Sequence, residues 1–417
     1  MRVVGSGGGL SVIRKMLSFE QALNIVKEKL AAANLVPGTE VVPLGEACGR
    51  VLAEEVVADR DYPPFQRSIR DGFAVRAEDV AAPPVELHWR GEIRAGGHFT
   101  GAVGAGECVS IMTGAPLPAG ADAVVMLEYA ESQDDKVKIH RGVRAGENIV
   151  VQGSEARAGA CVLRRGRRLG AAELGLLATV GKSRVPVFIR PVVAILPTGD
   201  EVVPVEQRPE WFQIRNSNAI SLSAQVAAAG GVPRCLEISP DRPEALRGLI
   251  RGGLNADLLL LTGGVSVGKY DFVEQVLADL GAEFYFQGVA LRPGKPLVFG
   301  RVEGKFFFGL PGNPVSTFVT FALFGRPALA ALGGGDFEAQ LFLRARIDKP
   351  FQQRTGLTAF LPARLDCSSG DPVVSMVGWQ GSGDLVGTAA ANCFLVVHPD
   401  QTNLAVGDWV DVMAKGQ

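Results

Sequence analysis

The most constraining feature of this sequence is a series of apolar segments that each end at a polar, glycine-containing turn. Val192–Pro197, Leu258–Leu261 and Phe306–Leu310 read as strands, and helical patterns lie between them. A further strand is predicted at Cys235–Ile238. Strands that alternate with helices pair in parallel, so residues 191–332 predict an α/β domain with a mostly parallel sheet. The carboxyl ends of such strands share one edge, where ligands bind in a crevice. We therefore expect the turns to line one site.

The turns carry groups suited to a phosphorylated ligand. Their glycines let backbone N–H groups approach a ligand closely, and the helices that start beyond them direct positive dipole ends at an anion. The predicted ligand contacts lie in the turns or just beyond them: Thr198, Gly199, Thr262, Gly263, Gly264, Ser266, Gly268, Pro311, Gly312, Asn313, Pro314 and Ser316. We expect Asn313 to stand at the N-cap of the last helix, with proline at its first position.

Carboxylates near these turns predict a divalent cation. Asp200 and Glu201 are adjacent at a strand end, and Asp271 lies near a helix start. A turn in which Asp200 caps a helix is the alternative, but it explains only one of the adjacent acids. Two carboxylates facing a phosphate would repel it unless a cation or a lysine lay between them. We therefore predict Mg²⁺, or another divalent cation, at Asp200, Glu201 and Asp271.

Two cations flank a rigid turn in the segment 291–296. Arg292 and Lys295 alternate with prolines that fix the backbone, so both side chains are presented with little entropy left to lose. A solvated surface loop is the alternative. The arrangement favours a clamp for a phosphate or another oxyanion.

The rest of the chain predicts further domains. A helix with a capping box opens at Ser18, and Gly333–Gly335 is a plausible linker. The expected divisions are a flexible tail at 1–15, a discontinuous elongated N-terminal module at 16–58 and 150–190, a small β domain at 59–149, the α/β domain at 191–332, and a C-terminal β domain at 336–417. The fold class is therefore α/β plus β.

Composition narrows the class of partner and the compartment. Lys and Arg total 42 against 44 Asp and Glu, so no basic excess offers a footprint for nucleic acid. No segment reads as a bilayer-spanning helix, so we expect a soluble protein without a membrane partner. The 6 cysteines are scattered without a C-x-x-C pair, which makes structural zinc improbable. Reduced thiols and the lack of a signal peptide predict a cytoplasmic protein.

Two further motifs precede the turns, and the whole set stands in a recognisable order. In chain order the motifs are Pro63-Pro64-Phe65 through Asp71-Gly72-Phe73-Ala74, Ile111-Met112-Thr113-Gly114-Ala115, Thr198-Gly199-Asp200-Glu201, Thr262-Gly263-Gly264-Val265-Ser266-Val267-Gly268, Pro293-Gly294-Lys295-Pro296 and Pro311-Gly312-Asn313-Pro314-Val315-Ser316. From Met16 onward the chain resembles the molybdopterin molybdenumtransferase family, the molybdate-insertion enzymes of molybdenum cofactor synthesis. The C-terminal domain of gephyrin is similar.

The resemblance implies an activity and an assembly. It implies an elongated homodimer of four-domain subunits that binds adenylylated molybdopterin in the α/β domain. Arg292 stands where a lysine is common in the family and keeps the charge, so we count it among the binding residues. With a divalent cation, the enzyme would cleave the AMP–molybdopterin anhydride, deliver molybdate to the dithiolene sulfurs and release AMP. Other proteins of molybdenum cofactor synthesis would be possible partners. The catalytic residues that the resemblance implies are Asp71, Thr113, Asp200, Glu201, Asp241, Asp271 and Lys295. Asp71 and Thr113 would act on the site of the other subunit.

Two other functions stay open at this point. The chain could be a molybdopterin-binding scaffold without insertion activity, but a pure binder has no reason to carry the acids Asp200, Glu201, Asp241 and Asp271 together. It could also be a molybdopterin adenylyltransferase, because the central α/β domain is similar to that family. The additional β domains favour insertion.

Overall fold

The computed structural model describes residues 16–94, 96–264, 272–337, 339–353, 356–368 and 370–415. The chain forms two compact units. The smaller unit consists of Val41–Cys48 and Glu54–Val185, and the larger unit of Met1–Glu40, Gly49–Ala53 and Pro186–Gln417. This division is coarser than the domain boundaries expected from the sequence, which stay predictions. The expected flexible tail at 1–15 lies outside the described residues.

A six-stranded, mostly antiparallel sheet organises the smaller unit. Its strands, in spatial order, are Ala123–Met126, Gly72–Val75, Glu107–Ile111, Val85–Ile93, Lys136–Ile139 and Ala130–Gln133. Side chains alternate between the two faces of a strand. Phe73 and Val75 therefore enter one apolar cluster, and Ala74 enters the other. Burial on both faces fixes the register of the strand that follows Asp71.

Short elements complete the smaller unit. Arg67–Ser68 pairs with Ile149–Val150, and Val56–Val57 pairs with Cys161–Leu163, both antiparallel. The helices are Ala171–Thr179 and the single 3₁₀ turns Leu44–Glu46, Ala77–Val80 and Leu127–Tyr129. The strands Thr39–Pro43 and Arg184–Phe188 lie where the chain passes from one unit to the other.

The larger unit contains the α/β sheet expected from the sequence. Its strands, in spatial order, are Val232–Cys235, Val192–Pro197, Leu258–Thr262, Lys305–Leu310, Val298–Val302 and Glu283–Gln287. The first four are parallel to one another, and the last two continue the sheet antiparallel. We call this the central sheet.

The register of the central sheet brings its turns together. Pro197 stands opposite Thr262, and Thr262 stands opposite Leu310. The three strands therefore end at one level, and the turns that follow begin side by side. This confirms the expectation that they share one edge.

Helices cover both faces of the central sheet. Alternate residues of the same strand serve opposite cores: Val193 and Ile195 pack on one side, and Ala194 and Leu196 on the other. The helices of the first side are Phe19–Ala32, Ser217–Ala228, Pro314–Thr320 and Arg326–Leu332, and those of the second side are Pro243–Gly253 and Phe272–Asp279. The predicted capping box is present, because the Gln21 N–H donates to Ser18 Oγ and the Ser18 N–H donates to Gln21 Oε1.

The last helix of this group is the most apolar. One π-helical turn, Phe321–Gly325, joins its two α-helical parts. Within the described part of the chain, only Pro314–Leu332 is long and apolar enough to cross a membrane, and 72% of its most apolar window is buried inside the protein. It is therefore a core helix.

The C-terminal part of the larger unit is a second sheet. The strands Thr358–Asp366, Val373–Met376, Phe342–Ile347, Trp409–Ala414 and Cys393–Val397 follow one another in space, and the last pairs again with the first. The ring of hydrogen-bonded neighbours is thereby closed. Leu291–Arg292 adds to it by pairing in parallel with Thr358 and Ala359. A short helix, Leu385–Ala390, and the pair Phe351–Gln352 with Asn403–Leu404 complete this part.

One predicted strand is displaced. The sequence places a strand at 235–238, whereas the structure has it at Val232–Cys235. The strand starts earlier because its residues pair with Val192–Ile195. Pro233 is tolerated there because the strand lies at the edge of the sheet, where a missing N–H breaks no inner ladder.

Candidate active site

The carboxyl edge of the central sheet opens into a crevice of about 380 Å³. Its lining comes from the three turns, from the segment 214–218 and from Pro296. The lining residues are Pro197, Thr198, Glu201, Val202, Ile214, Arg215, Asn216, Ser217, Asn218, Thr262, Gly263, Gly264, Pro296, Pro311, Gly312, Asn313 and Pro314. The structure thus brings together most of the ligand contacts predicted in the turns.

Asn218 joins two of the turns. Its Nδ2 donates to Thr262 Oγ1 at 2.9 Å and to the Gly312 carbonyl oxygen at 2.7 Å. The residue lies in the first turn of the helix Ser217–Ala228, whose N-cap Asn216 accepts a hydrogen bond from the Ala219 N–H. Asn218 is a crevice residue that was not among the contacts predicted from the sequence. The polar run before an apolar helical pattern was the available signal, because it is typical of a helix N-terminus.

Two buried oxygen atoms at the crevice lack a partner in the described part of the chain. They are Thr198 Oγ1 and Asn218 Oδ1. Nearly all buried polar atoms in folded proteins are hydrogen-bonded, so an unpaired atom needs an explanation. Both side chains line the crevice, and a bound ligand or water could donate the missing hydrogen bonds.

Gly263 holds the second turn close to the first. Its φ is +96°, and a Cβ atom there would lie 2.6 Å from the Thr198 carbonyl oxygen. Its own N–H donates to the Leu310 carbonyl oxygen at 3.3 Å. Only glycine combines this backbone conformation with such a close approach.

Three carboxylates gather beside the first turn. The Asp241 N–H donates to Asp200 Oδ1 at 3.1 Å, and Glu201 lines the crevice. Burial raises the pKa of the Asp241 carboxyl, and the negative charges of Asp200 and Glu201 raise it further. Among the described residues no group of three or more His, Cys, Asp or Glu is arranged to hold a metal. The predicted ligand Asp271, like Ser266 and Gly268, lies outside the described residues.

The predicted cations lie on the surface, and Lys295 adjoins a residue of the crevice wall. Arg292 and Lys295 are both exposed, and Pro296, the neighbour of Lys295, lines the crevice. Arg215, which the sequence analysis did not identify, also lines it, and its Nε donates to the Gln207 carbonyl oxygen at 3.2 Å. Positive charge is therefore available at more than one place around the site.

The third turn is placed as expected, with one difference in its contacts. Asn313 stands at the N-cap, and Pro314 is the first helical residue. The Asn313 side chain does not cap the helix; its Nδ2 donates to Ser382 Oγ at 2.8 Å. Ser316 is 3% exposed and does not line the crevice.

Asp71 and Thr113 form a separate pair in the smaller unit. Asp71 Oδ1 accepts hydrogen bonds from both the backbone N–H and the hydroxyl of Thr113. These bonds, the backbone one first, hold the pKa of the Asp71 carboxyl below its usual range. Both residues are exposed, so this pair is available to a ligand or to another chain.

Family models cover most of the chain. Residues 17–181 match the MoeA N-terminal region (domain I and II), residues 194–331 match a probable molybdopterin binding domain, and residues 344–415 match the MoeA C-terminal region (domain IV). The first of these spans the Asp71–Thr113 pair, and the second spans the crevice.

Similar proteins extend over almost the full length. The chain is 35% identical over 384 residues to the molybdopterin molybdenumtransferase of Bacillus subtilis (strain 168), which covers 90% of this chain and 89% of that protein. It is 35% identical over 408 residues to the protein of the same name from Nostoc sp. (strain PCC 7120). That alignment covers 95% of this chain and 94% of the Nostoc protein. The crystal structure of the molybdopterin biosynthesis moeA protein from Pyrococcus horikoshii OT3 superposes with a TM-score of 0.78 at 29% identity, covering 96% of this chain and 100% of that one.

Proposed function

The chain belongs to the MoeA family, and from this premise we propose that its crevice binds adenylylated molybdopterin and that molybdate is inserted there with release of AMP. The chain is an enzyme of molybdenum cofactor biosynthesis, a molybdopterin molybdenumtransferase.

The ligand is placed in the crevice because two buried oxygens there, Thr198 Oγ1 and Asn218 Oδ1, lack a hydrogen-bond donor among the described residues. A pterin and an adenine both offer ring N–H or amino groups that could donate to them. The helix Ser217–Ala228 begins at the crevice and directs the positive end of its dipole towards it, and Arg215 adds a full charge. Phosphate groups suit that end of the site.

A divalent cation is proposed at the acidic residues beside the first turn. Asp200, Glu201 and Asp241 concentrate negative charge there, and burial and the neighbouring carboxylates raise the pKa of Asp241. We propose that Asp200 and Glu201, together with Asp271, hold Mg²⁺. The ion would neutralise charge on the phosphate oxygens of the anhydride.

Lys295 and Arg292 are proposed as the clamp for molybdate. Molybdate is a tetrahedral dianion, so fixed charged donors suit it better than an apolar pocket. Both side chains are exposed, and Lys295 adjoins Pro296 in the crevice wall. Ser316 is too deeply buried in the helix to contact molybdate without a local movement.

We also propose a homodimer in the cytoplasm. The resemblance of the motifs supports the homodimer, in which Asp71 and Thr113 would serve the crevice of the other subunit. All six cysteines, Cys48, Cys108, Cys161, Cys235, Cys367 and Cys393, are free thiols, which suits a reducing compartment.

One assay separates insertion from its alternatives. Purified protein is incubated with adenylylated molybdopterin, Mg²⁺ and molybdate, and AMP is measured while each component is omitted in turn. An inserting enzyme releases AMP only with all three. A scaffold binds the substrate without releasing AMP. An adenylyltransferase is recognised in a parallel incubation with molybdopterin and ATP, in which it forms the adenylylated pterin.

A variant pair links that activity to the crevice. Asn218→Ala removes the bridge between two turns, and Asn255→Ala is the control because Asn255 is an exposed residue outside the crevice. We expect the first variant to lose substrate affinity and the second to keep it. Equal affinity in both would refute the placement of the ligand in this crevice.

A further inference from the structure

An exposed pair of aromatic residues lies just before the crevice residue Ile214 in the chain. Trp211 is 94% exposed and Phe212 is 56% exposed. Their ring centroids are 5.6 Å apart with an angle of 78° between the ring planes, an edge-to-face arrangement. An almost fully exposed indole is a costly surface feature, because tryptophan normally buries most of its large apolar area.

The pair is connected directly to the rim of the crevice. Ile214 and Arg215, which follow it, line the crevice and form a short strand that pairs in parallel with Val202 and Val203. The Ile214 N–H donates to the Glu201 carbonyl oxygen at 2.9 Å. The aromatic pair therefore lies only a few residues from the wall of the site.

Hydrogen bonds hold the turn that carries the pair. The Glu210 N–H donates to Gln213 Oε1, and the Gln213 N–H donates to the Glu210 carbonyl oxygen, both at 3.0 Å. Arg215 Nε fixes the start of the same loop through the Gln207 carbonyl oxygen. A surface that is already ordered loses little entropy when it binds a ligand.

The crevice is small compared with the proposed ligand, so part of the ligand should lie outside it. Its volume of about 380 Å³ is near the lower end for ligand pockets, and its polar lining suits phosphates and ring edges. Adenylylated molybdopterin carries two flat ring systems, the adenine and the pterin. Ile214 is the part of the crevice wall that the exposed aromatic pair precedes by two residues, so this pair is the aromatic surface in the chain segment next to the wall.

We infer that Trp211 is a ligand-binding residue that stacks on one flat heterocyclic ring of the ligand, with Phe212 packed edge-on against the indole. The inference rests on the proposed function and adds a ring-binding subsite to it. Stacking on an aromatic side chain does not depend on the identity of the ring, so adenine and pterin share the required chemistry.

Calorimetric titration with three probes tests the subsite. The probes are AMP, pterin-6-carboxylate and ribose 5-phosphate, and the last of these lacks a ring system that can stack. Trp211→Ala should weaken the binding of one of the two ring-containing probes by roughly five- to hundredfold, and the affected probe identifies the ring. Trp211→Phe should stay within about threefold of the parent, and the affinity for ribose 5-phosphate should not change in either variant.

The crevice variant Asn218→Ala separates the two ways of failing. If Asn218→Ala weakens binding while Trp211→Ala leaves the affinities for AMP and the pterin unchanged, the crevice assignment stands and the stacking subsite is wrong. An equal loss of ribose 5-phosphate binding in Trp211→Ala also overturns stacking, because that probe has no ring to stack. If the parent protein binds neither ring-containing probe, the ligand placement and the subsite both fail.

Discussion

A single carboxylate oxygen of Asp71 accepts two hydrogen bonds from Thr113, at 2.6 Å from its backbone nitrogen and 2.7 Å from its hydroxyl oxygen. The sheet brings these residues together, because Gly72 pairs with Ile111 in the adjoining antiparallel strands. The pair links the residue before one strand to the residues after the other and holds an ionised carboxylate at the surface.

The Asp71–Thr113 pair should make stability depend on acid pH. The folded pKa of Asp71 is depressed, so its stabilising contribution is present above the unfolded pKa of about 3.9 and is lost as the pH falls through the folded value. Asp71→Asn should therefore lower the thermal midpoint of the smaller unit at pH 7, and the difference from the parent should shrink below about pH 4. Calorimetry at several pH values measures it.

Glu128→Gln is the matched control for that experiment. Glu128 is an exposed carboxylate of the same unit, so its substitution removes the same charge without the contact to Thr113. We expect a smaller effect at neutral pH. A difference between Asp71→Asn and the parent that persists unchanged at pH 3 would contradict the assignment.

Mixing inactive subunits tests the shared site. Thr113→Ala and Lys295→Ala should each be inactive alone, and mixed, re-associated subunits should regain part of the activity because one hybrid site would be intact. Asp71→Asn mixed with Thr113→Ala should recover nothing, since both changes lie in the same unit of the chain. Proven heterodimers of the first pair without activity would place Thr113 and Lys295 in the site of one subunit.

Lys295 should determine the molybdate concentration that the reaction needs. Lys295→Ala removes a charged hydrogen bond typically worth about 1.5–3 kcal/mol, so half-maximal AMP release should need roughly ten- to hundredfold more molybdate. The exposed Lys349→Ala is the control and should behave as the parent. An unchanged molybdate dependence, with a loss confined to pterin affinity, would move Lys295 to the phosphate site.

Asp200 should matter more for cleavage than for binding. Asp200→Asn removes the charge of a residue that would hold Mg²⁺, and the bound ion would supply charge neutralisation that matters most while the anhydride breaks. AMP release should therefore fall much further than substrate affinity, and added Mg²⁺ should restore part of the rate. The same is expected of Asp271→Asn. The exposed Glu206→Gln serves as control, and parent-like release by Asp200→Asn would count against the cation site.

Gly263 should tolerate no side chain. Gly263→Ala places a Cβ atom 2.6 Å from the Thr198 carbonyl oxygen at a φ of +96°, and such strain costs about 1–3 kcal/mol. Gly248→Ala, inside the helix Pro243–Gly253 with no atom within 4 Å of the added Cβ, should instead stabilise by about 0.5–1 kcal/mol. Thermal unfolding and substrate binding are measured for both variants. A Gly263→Ala protein that matches the parent in stability and in affinity would contradict the prediction.

The sequence predicted the parts of the site that depend on local signals. The turns can be located from local signals, namely the strand ends, the glycines and the proline after Asn313. The parallel sheet then aligns these turns along one edge. Asn218 was missed because its bonds to Thr262 and Gly312 span 44 and 94 residues. Spacing along the chain does not report such contacts.

The same limit applies to the edge of the central sheet and to the acids. The strand Val232–Cys235 begins where its pairing with Val192 begins, which propensity alone does not indicate. The adjacency of Asp241 and Asp200, joined by a hydrogen bond across 41 residues, follows from the fold. The exposure of Trp211 and Phe212 is likewise a property of the fold that no local sequence signal reports.

The pairing of Leu291–Arg292 with Thr358 and Ala359 limits how modular this protein is. The segment that carries a proposed oxyanion ligand is, by its hydrogen bonds, a strand of the C-terminal sheet, although it lies between two strands of the central sheet in the chain. A protein truncated after Leu332 would keep every strand of the central sheet and still lose the partner that orients Arg292. The C-terminal region therefore could not be exchanged between relatives as an independent cassette without also rebuilding the anion site.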